Sequence, residues 1–236
     1  MQINTALVKN KNFENAIKPS LLKHSQEYRV LATLRYLYPA KYDKMVTGEA
    51  PDLQDCVSGI GIEVNAAVNG NDMKASRAFS ELYQRTSKDV EKCKKAIKSS
   101  GYAFIPIGDK KLAITTLGTA DGEKRFFQES IRRKVKKLNQ YRANFKEVGL
   151  AVLLSEIPTS CAETNHTEWL TELLMESNNW FDFVYVISHR FCIHYNRQGE
   201  IIEKHLLAND ETRWLATIGR MTAEGELSFL TAEEWL

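Results

Sequence analysis

The apolar positions of the chain fall into alternating helical and extended stretches. Val30, Leu31, Leu34, Leu37 and Tyr38 recur on one helical face and predict a helix from Ser20 or Ser25 to Tyr38, ended by Pro39. Glu27 lies one helical turn before Leu31 and projects from that same stripe. A carboxylate there belongs at the rim of the core or in a polar pocket, because burying it bare is costly; the plainer alternative is a helix-start acid favoured by the macrodipole. Ile60, Ile62 and Val64 alternate with Gly61, Glu63 and Asn65, which predicts a half-buried strand over 60–66 with Glu63 and Asn65 on the face away from the core.

Beyond Gly70, the stripe Phe79, Leu82, Val90, Cys93 and Ile97 predicts a helix over about 73–99, closed by Gly101. Residues 102–107 and 112–117 read as two strands around the turn Gly108-Asp109-Lys110, with Pro106 marking an edge strand. Phe127, Ile131, Val135, Leu138, Tyr141 and Phe145 predict a second long helix over about 122–146. The nearly continuous apolar run 148–154 suits a strand covered on both faces. Asn165-His166-Thr167-Glu168 has capping-box spacing and opens a helix through Trp169 and Leu173. Strands follow at 181–187 and around 189–195, with a turn at Gln198-Gly199 and a return strand from Ile201, while the last thirty residues give no clear pattern. These elements describe a mixed α/β fold. With no repeat and no linker, the 236 residues read as a single domain with its core at about 20–190 and a C-terminal extension at 191–236.

Composition changes this picture little. Hydrophobic residues make up 43% and charged residues 26%, and the net charge is only +2, so overall charge does not single out a nucleic-acid partner. Its distribution is uneven. The segment from Lys124 to Lys146 carries nine basic residues, Arg132, Arg133, Lys136 and Lys137 among them, against Glu129 alone. Such a face is either solvated or a phosphate-backbone footprint. The four cysteines are scattered without a Cys-x-x-Cys spacing, which argues against a disulfide framework and for a reducing compartment. No signal-peptide layout opens the chain and no apolar run approaches the ~20 residues that span a bilayer. The expectation is a cytoplasmic protein with no membrane partner.

The candidate chemistry lies at Pro51-Asp52 and Glu63-Val64-Asn65. Ten residues separate Asp52 from Glu63, room for one strand to reverse into the next and bring two carboxylates together. Paired hard oxygen donors suit Mg²⁺ or Mn²⁺ better than zinc. Cys192 and His194 share a strand face, with His166, His189 and His205 as further donors, but their spacing matches no zinc pattern.

Pro51-Asp52 followed by Glu63-Val64-Asn65 resembles the PD-(D/E)XK nuclease superfamily, and the order of elements over about 20–155 is similar. The resemblance implies a restriction-endonuclease-like central mixed sheet flanked by helices. It implies hydrolysis of nucleic-acid phosphodiester bonds, DNA ahead of RNA, with Asp52 and Glu63 as ligands of Mg²⁺ or Mn²⁺. Asn65 would stand beside the attacking water, Glu27 would join the acidic site, and Arg132, Arg133, Lys136 and Lys137 would grip phosphates. The departure is Asn65, which stands where the family has its lysine. Either another lysine serves, with Lys74, Lys111 and Lys136 as candidates, or the chain is a catalytically inactive nucleic-acid- or protein-binding module. A homodimer is left open.

Overall fold

The helix predicted to end at Pro39 spans Pro19–Leu37 (α1) and is followed by a single turn, Pro39–Tyr42 (α2). The computed structural model describes residues 17–67, 70–82, 87–107, 111–117, 120–154 and 163–228, with Val8, Lys11 and Phe13. Three strands come next: Val46–Thr47 (β1), Leu53–Asp55 (β2) and Ile60–Ala67 (β3). The later strands are Tyr102–Ile107 (β4), Lys111–Thr116 (β5), Glu147–Leu154 (β6), Phe183–Ile187 (β7), Phe191–Asn196 (β8) and Ile201–Leu206 (β9).

Each long helix expected from periodicity is two helices. Gly70–Leu82 (α3) and Ser87–Ser99 (α4) fold back on one another, placing Ala75 and Ala78 in one small core with Ile97. One uninterrupted helix could not bring those residues together. The second long stripe divides into Ala120–Val135 (α5) and Leu138–Arg142 (α6), separated by Lys136 and Lys137. The helix Glu163–Glu176 (α7) begins two residues before Asn165, so the anticipated capping box lies within its first turn, and the segment 155–162 before it lies outside the described residues. The patternless C-terminal stretch contains a helix, Asn209–Ala223 (α8).

Seven strands form one mixed sheet in the order β1-β2-β3-β6-β7-β8-β9. Its centre, β3-β6-β7, is parallel, and the outer pairs on both sides are antiparallel. Both faces of the central strands are buried, as parallel strands require. Val148, Leu150 and Val152 of β6 pack with Phe127 and Ile131 of α5 and Trp169 and Leu173 of α7. The alternate residues Ala151 and Leu153 join Ile62, Val64 and the Val30-Leu31-Leu34 stripe of α1 on the other face. The result is a mixed α/β fold with helices on both sides of the sheet. Residues 191–206, expected to begin an extension, supply two of its strands. β4 and β5 pair separately as a two-stranded sheet, where Pro106 opposes Leu112 on a strand with one neighbour among the described residues. Among the described residues no helix is long and apolar enough to cross a membrane.

α8 forms a third layer outside α1. Trp214, Leu215, Ile218 and Met221 meet Ala32, and the Tyr36 hydroxyl donates to Glu211, whose other carboxylate oxygen accepts the Ala208 N–H. The two helices touch at Gly219, where an added Cβ would lie 2.6 Å from the Ser25 carbonyl oxygen and 2.7 Å from the Arg29 nitrogen. These are backbone atoms and cannot swing aside. Gly219→Ala should therefore lower the unfolding free energy by about 1–3 kcal/mol through overpacking, overriding the ~1 kcal/mol that alanine gains over glycine inside a helix; urea titration measures the difference.

His194 of β8 stacks on Tyr185 with ring centroids 4.4 Å apart. Burial, reinforced by the Lys41 charge, holds the imidazole down to about 4 from its ordinary 6.5. The folded state thus prefers the neutral ring, so this contribution to stability is complete above pH 6.5 and is lost as pH falls toward 4. His194→Phe, which keeps a stackable ring without the titration, should flatten the decline in urea midpoint between those pH values relative to wild type.

Candidate functional site

The site begins with a tight reversal. Asp55 ends β2, and its Oδ1 accepts the N–H groups of Val57 and Ser58 at 2.9 and 3.1 Å. Gly59 adopts φ 74°, a left-handed conformation that glycine takes without a Cβ penalty. The hairpin register is thereby fixed as Leu53↔Ile62, Gln54↔Gly61 and Asp55↔Ile60. Continued by one residue, it sets Asp52 opposite Glu63. At Gly61 a Cβ would lie 2.5 Å from the Pro51 ring and 3.0 Å from that of Phe145, so the missing side chain is what allows Pro51-Asp52 to lie against β3.

Three carboxylates collect at this end of the sheet, all nearly out of water: Glu27 is 2% exposed, Asp52 2% and Glu63 4%. The outward face foreseen for Glu63 and Asn65 is instead covered by α5 and α6. Asp52 Oδ2 accepts the Val64 N–H at 2.9 Å, and Oδ1 accepts from Lys23 Nζ at 2.9 Å. The same ammonium lies 3.0 Å from Glu27 Oε1. The other Glu27 oxygen is 2.9 Å from His24 Nδ1. On the opposite side of Asp52, Lys134 of α5 places Nζ 2.5 Å from Glu63 Oε1 and 4.0 Å from Asp52 Oδ2. Glu27, Asp52 and Glu63 are thus joined in a chain by two ammonium groups.

The charges reshape one another. Burial, helped by repulsion from Asp52, raises the Glu63 carboxyl above the ordinary glutamate range, while Lys134 and the Tyr141 hydroxyl pull against that rise. Tyr141 in turn is pushed up by its own burial and by Glu63. Lys23 is raised by its hydrogen bond to Asp52 and by Glu27, against the effect of its partial burial.

Asn65 shares the face of Glu63, and its amide donates to Ser130 Oγ at 2.7 Å, which itself donates to the Phe127 carbonyl at 2.7 Å. It ties β3 to α5. Of the lysines proposed to stand in for the family's, Lys74 and Lys136 are exposed, on α3 and just after α5, and the side chain of Lys111 lies outside the described residues. Two other lysines reach the carboxylates, Lys23 at Glu27 and Asp52 and, at Glu63, Lys134. The signal of Lys134 was present in the sequence, since it falls three residues after Ile131 and four before Leu138, on the apolar stripe itself. Lys23, one turn before Glu27, carried the same kind of signal.

The basic helix is partly neutralised. Arg132 donates from both Nε and Nη2 to Glu176, at 2.7 and 2.6 Å, and Lys124 pairs with Glu172 at 2.7 Å. Arg133, Lys136 and Lys137 are exposed. His166 packs with Phe127 and Trp169 on the α5/α7 side, apart from the others, whereas Cys192 lies in the core on the α1 side opposite His205 in the strand register, and His194 and His205 both pack against Tyr38.

Asp52, Glu63 and Glu27 are hard oxygen donors of the kind Mg²⁺ and Mn²⁺ prefer. Among the described residues, Glu63 Oε2 is buried without a hydrogen-bond partner, a donor atom left for a cation. No three His, Cys, Asp or Glu side chains there form a ready-made cage. An ion at this site would take protein oxygens from Asp52 and Glu63, with Glu27 as a further donor on the side held by Lys23, and complete its shell with water or substrate, as Mg²⁺ commonly does. No protein-family description, curated protein or solved structure matches the chain.

Lys134→Met should strand Glu63 and lower stability by on the order of 2–3 kcal/mol, below the usual cost of breaking a fully buried pair because Lys134 is part exposed. The double variant with Glu63→Gln should recover part of that loss, and a double-mutant cycle by urea denaturation measures the coupling.

Proposed function

We propose that this chain is a divalent-metal-dependent nuclease of the PD-(D/E)XK, restriction-endonuclease-like type, hydrolysing phosphodiester bonds in nucleic acid. The observation that carries the reading is the meeting of Asp52, Glu63 and Lys134, with one ammonium 2.5 Å from the glutamate and 4.0 Å from the aspartate. It supplies from α5 the cation that Asn65 does not provide at the third motif position. The parallel pair β3-β6, with α1 on one face and α5 on the other, agrees with the order of elements in that superfamily.

In this reading Asp52 and Glu63 hold Mg²⁺ or Mn²⁺. When bound, the ion supplies a more acidic water and neutralises charge on the phosphoryl group. Lys134 restrains the Glu63 carboxylate and orients the attacking water. Asn65 acts at one remove, fixing β3 against α5 through Ser130. Arg133, Lys136 and Lys137 face the substrate phosphates, and Arg132 is held by Glu176 at the edge of that surface. A second reading, an inactive module that binds nucleic acid or protein, is favoured by one observation: two lysines of the chain, Lys23 and Lys134, already balance much of the acidic charge.

Purified protein with Mg²⁺ or Mn²⁺ should cleave DNA. Asp52→Ala, Glu63→Ala and Lys134→Met should each reduce the rate on the order of 10²-fold or more, while Lys74→Met leaves it unchanged. Cleavage that persists in both carboxylate variants sinks the proposal. Salt-sensitive binding of polynucleotides without any cleavage of DNA or RNA establishes the binding module instead.

A further inference from the structure

The two lysines of the acidic cluster differ in how they are held. Lys134 emerges from α5 with its side chain 22% exposed, and the Lys23 side chain is 66% exposed. Yet Lys23 Nζ sits 2.9 Å from Asp52 Oδ1 and 3.0 Å from Glu27 Oε1, between two carboxylates that are almost completely buried. An ammonium shared by two buried carboxylate oxygens stands where a metal cation would stand. We propose that Lys23 is a built-in occupant of this cation position, and that a divalent ion entering the site displaces it. The inference rests on the metal-binding reading above and concerns how that site fills.

Three features make the exchange feasible without collapse. The Lys23 side chain is mostly in water, so it can swing outward while its helix stays in place. Asp52 keeps its orientation when the lysine leaves, because Oδ2 still accepts the Val64 N–H at 2.9 Å. Glu27 keeps its orientation too, because Oε2 remains 2.9 Å from His24 Nδ1. Lys23 is ion-paired with both carboxylates, so the exchange is cation for cation. In the empty state Lys23 relieves repulsion between Asp52 and Glu27 that would otherwise cost stability. In the loaded state its ammonium is released at the mouth of the site, where an anionic phosphate would approach. Metal entry and the availability of a phosphate-binding cation thereby become one event.

The test is Mn²⁺ binding to wild type and Lys23→Met, measured by calorimetry and by the electron-paramagnetic-resonance signal of free Mn²⁺, with no substrate present. Lys23→Met should bind Mn²⁺ about tenfold more tightly, the change expected when roughly one charged contact no longer has to be broken. Its melting temperature in EDTA should fall, and Mn²⁺ should raise it by more than in wild type. In the unmodified protein, acylation of Lys23 mapped by mass spectrometry should increase several-fold on adding Mg²⁺, a readout that does not depend on the variant folding. Unchanged or weaker Mn²⁺ affinity in Lys23→Met, together with Lys23 reactivity indifferent to Mg²⁺, overturns the inference while leaving the metal reading intact. Absence of Mn²⁺ binding to both proteins overturns the two together.

Discussion

Three carboxylates removed from water at one end of a sheet form the constraint around which this molecule is arranged. Each would be costly to bury alone. Lys23 and Lys134 offset that cost from opposite sides, one from the helix on the α1 face and one from the helix on the other. The part of the sheet between them therefore has fixed positions for both helices. Other polar contacts repeat the logic at lower stakes, with Asn65 and Ser130 holding β3 to α5 and the Val64 N–H holding Asp52 to the strand beside it.

The same arrangement carries the functional argument. A cluster with three acids and two ammonium groups is neither a neutral core nor an open acidic pocket. It is close to charge balance, with three carboxylates set against two ammonium groups. The raised Glu63 carboxyl expresses that competition. The proposed nuclease chemistry and the proposed displacement of Lys23 both start from this ion-paired cluster.

Much of this was legible in the chain itself. The mixed α/β class followed from stripes and alternations. Glu27 on an apolar stripe pointed to a polar pocket, and Asp52 and Glu63 were separated by the length of a hairpin. What stayed hidden was hidden for physical reasons. Lys134 sits among so many basic residues that its place on the apolar stripe of Phe127, Ile131 and Leu138 was masked by the charge of its neighbours. Periodicity runs unbroken through residues 136–137, so it does not register that α5 and α6 are separate elements. α8 buries Trp214, Ile218 and Met221 against the outside of another helix, a narrow contact that leaves only a faint stripe.

The contact at Gly219 has a consequence for where the site's geometry is decided. α8 meets α1 through the backbone at Ser25 and Arg29, two residues before and two after Glu27, with Ser25 two residues from Lys23. The sheet presses on α1 from within and α8 presses from without, so the height of Glu27 and Lys23 above Asp52 is set by a glycine nearly two hundred residues later in the chain. The acidic cluster is thus an assembled property of α1 and α8 alike. A half-synthesised chain would carry every one of its carboxylates and still lack the backstop that aligns them.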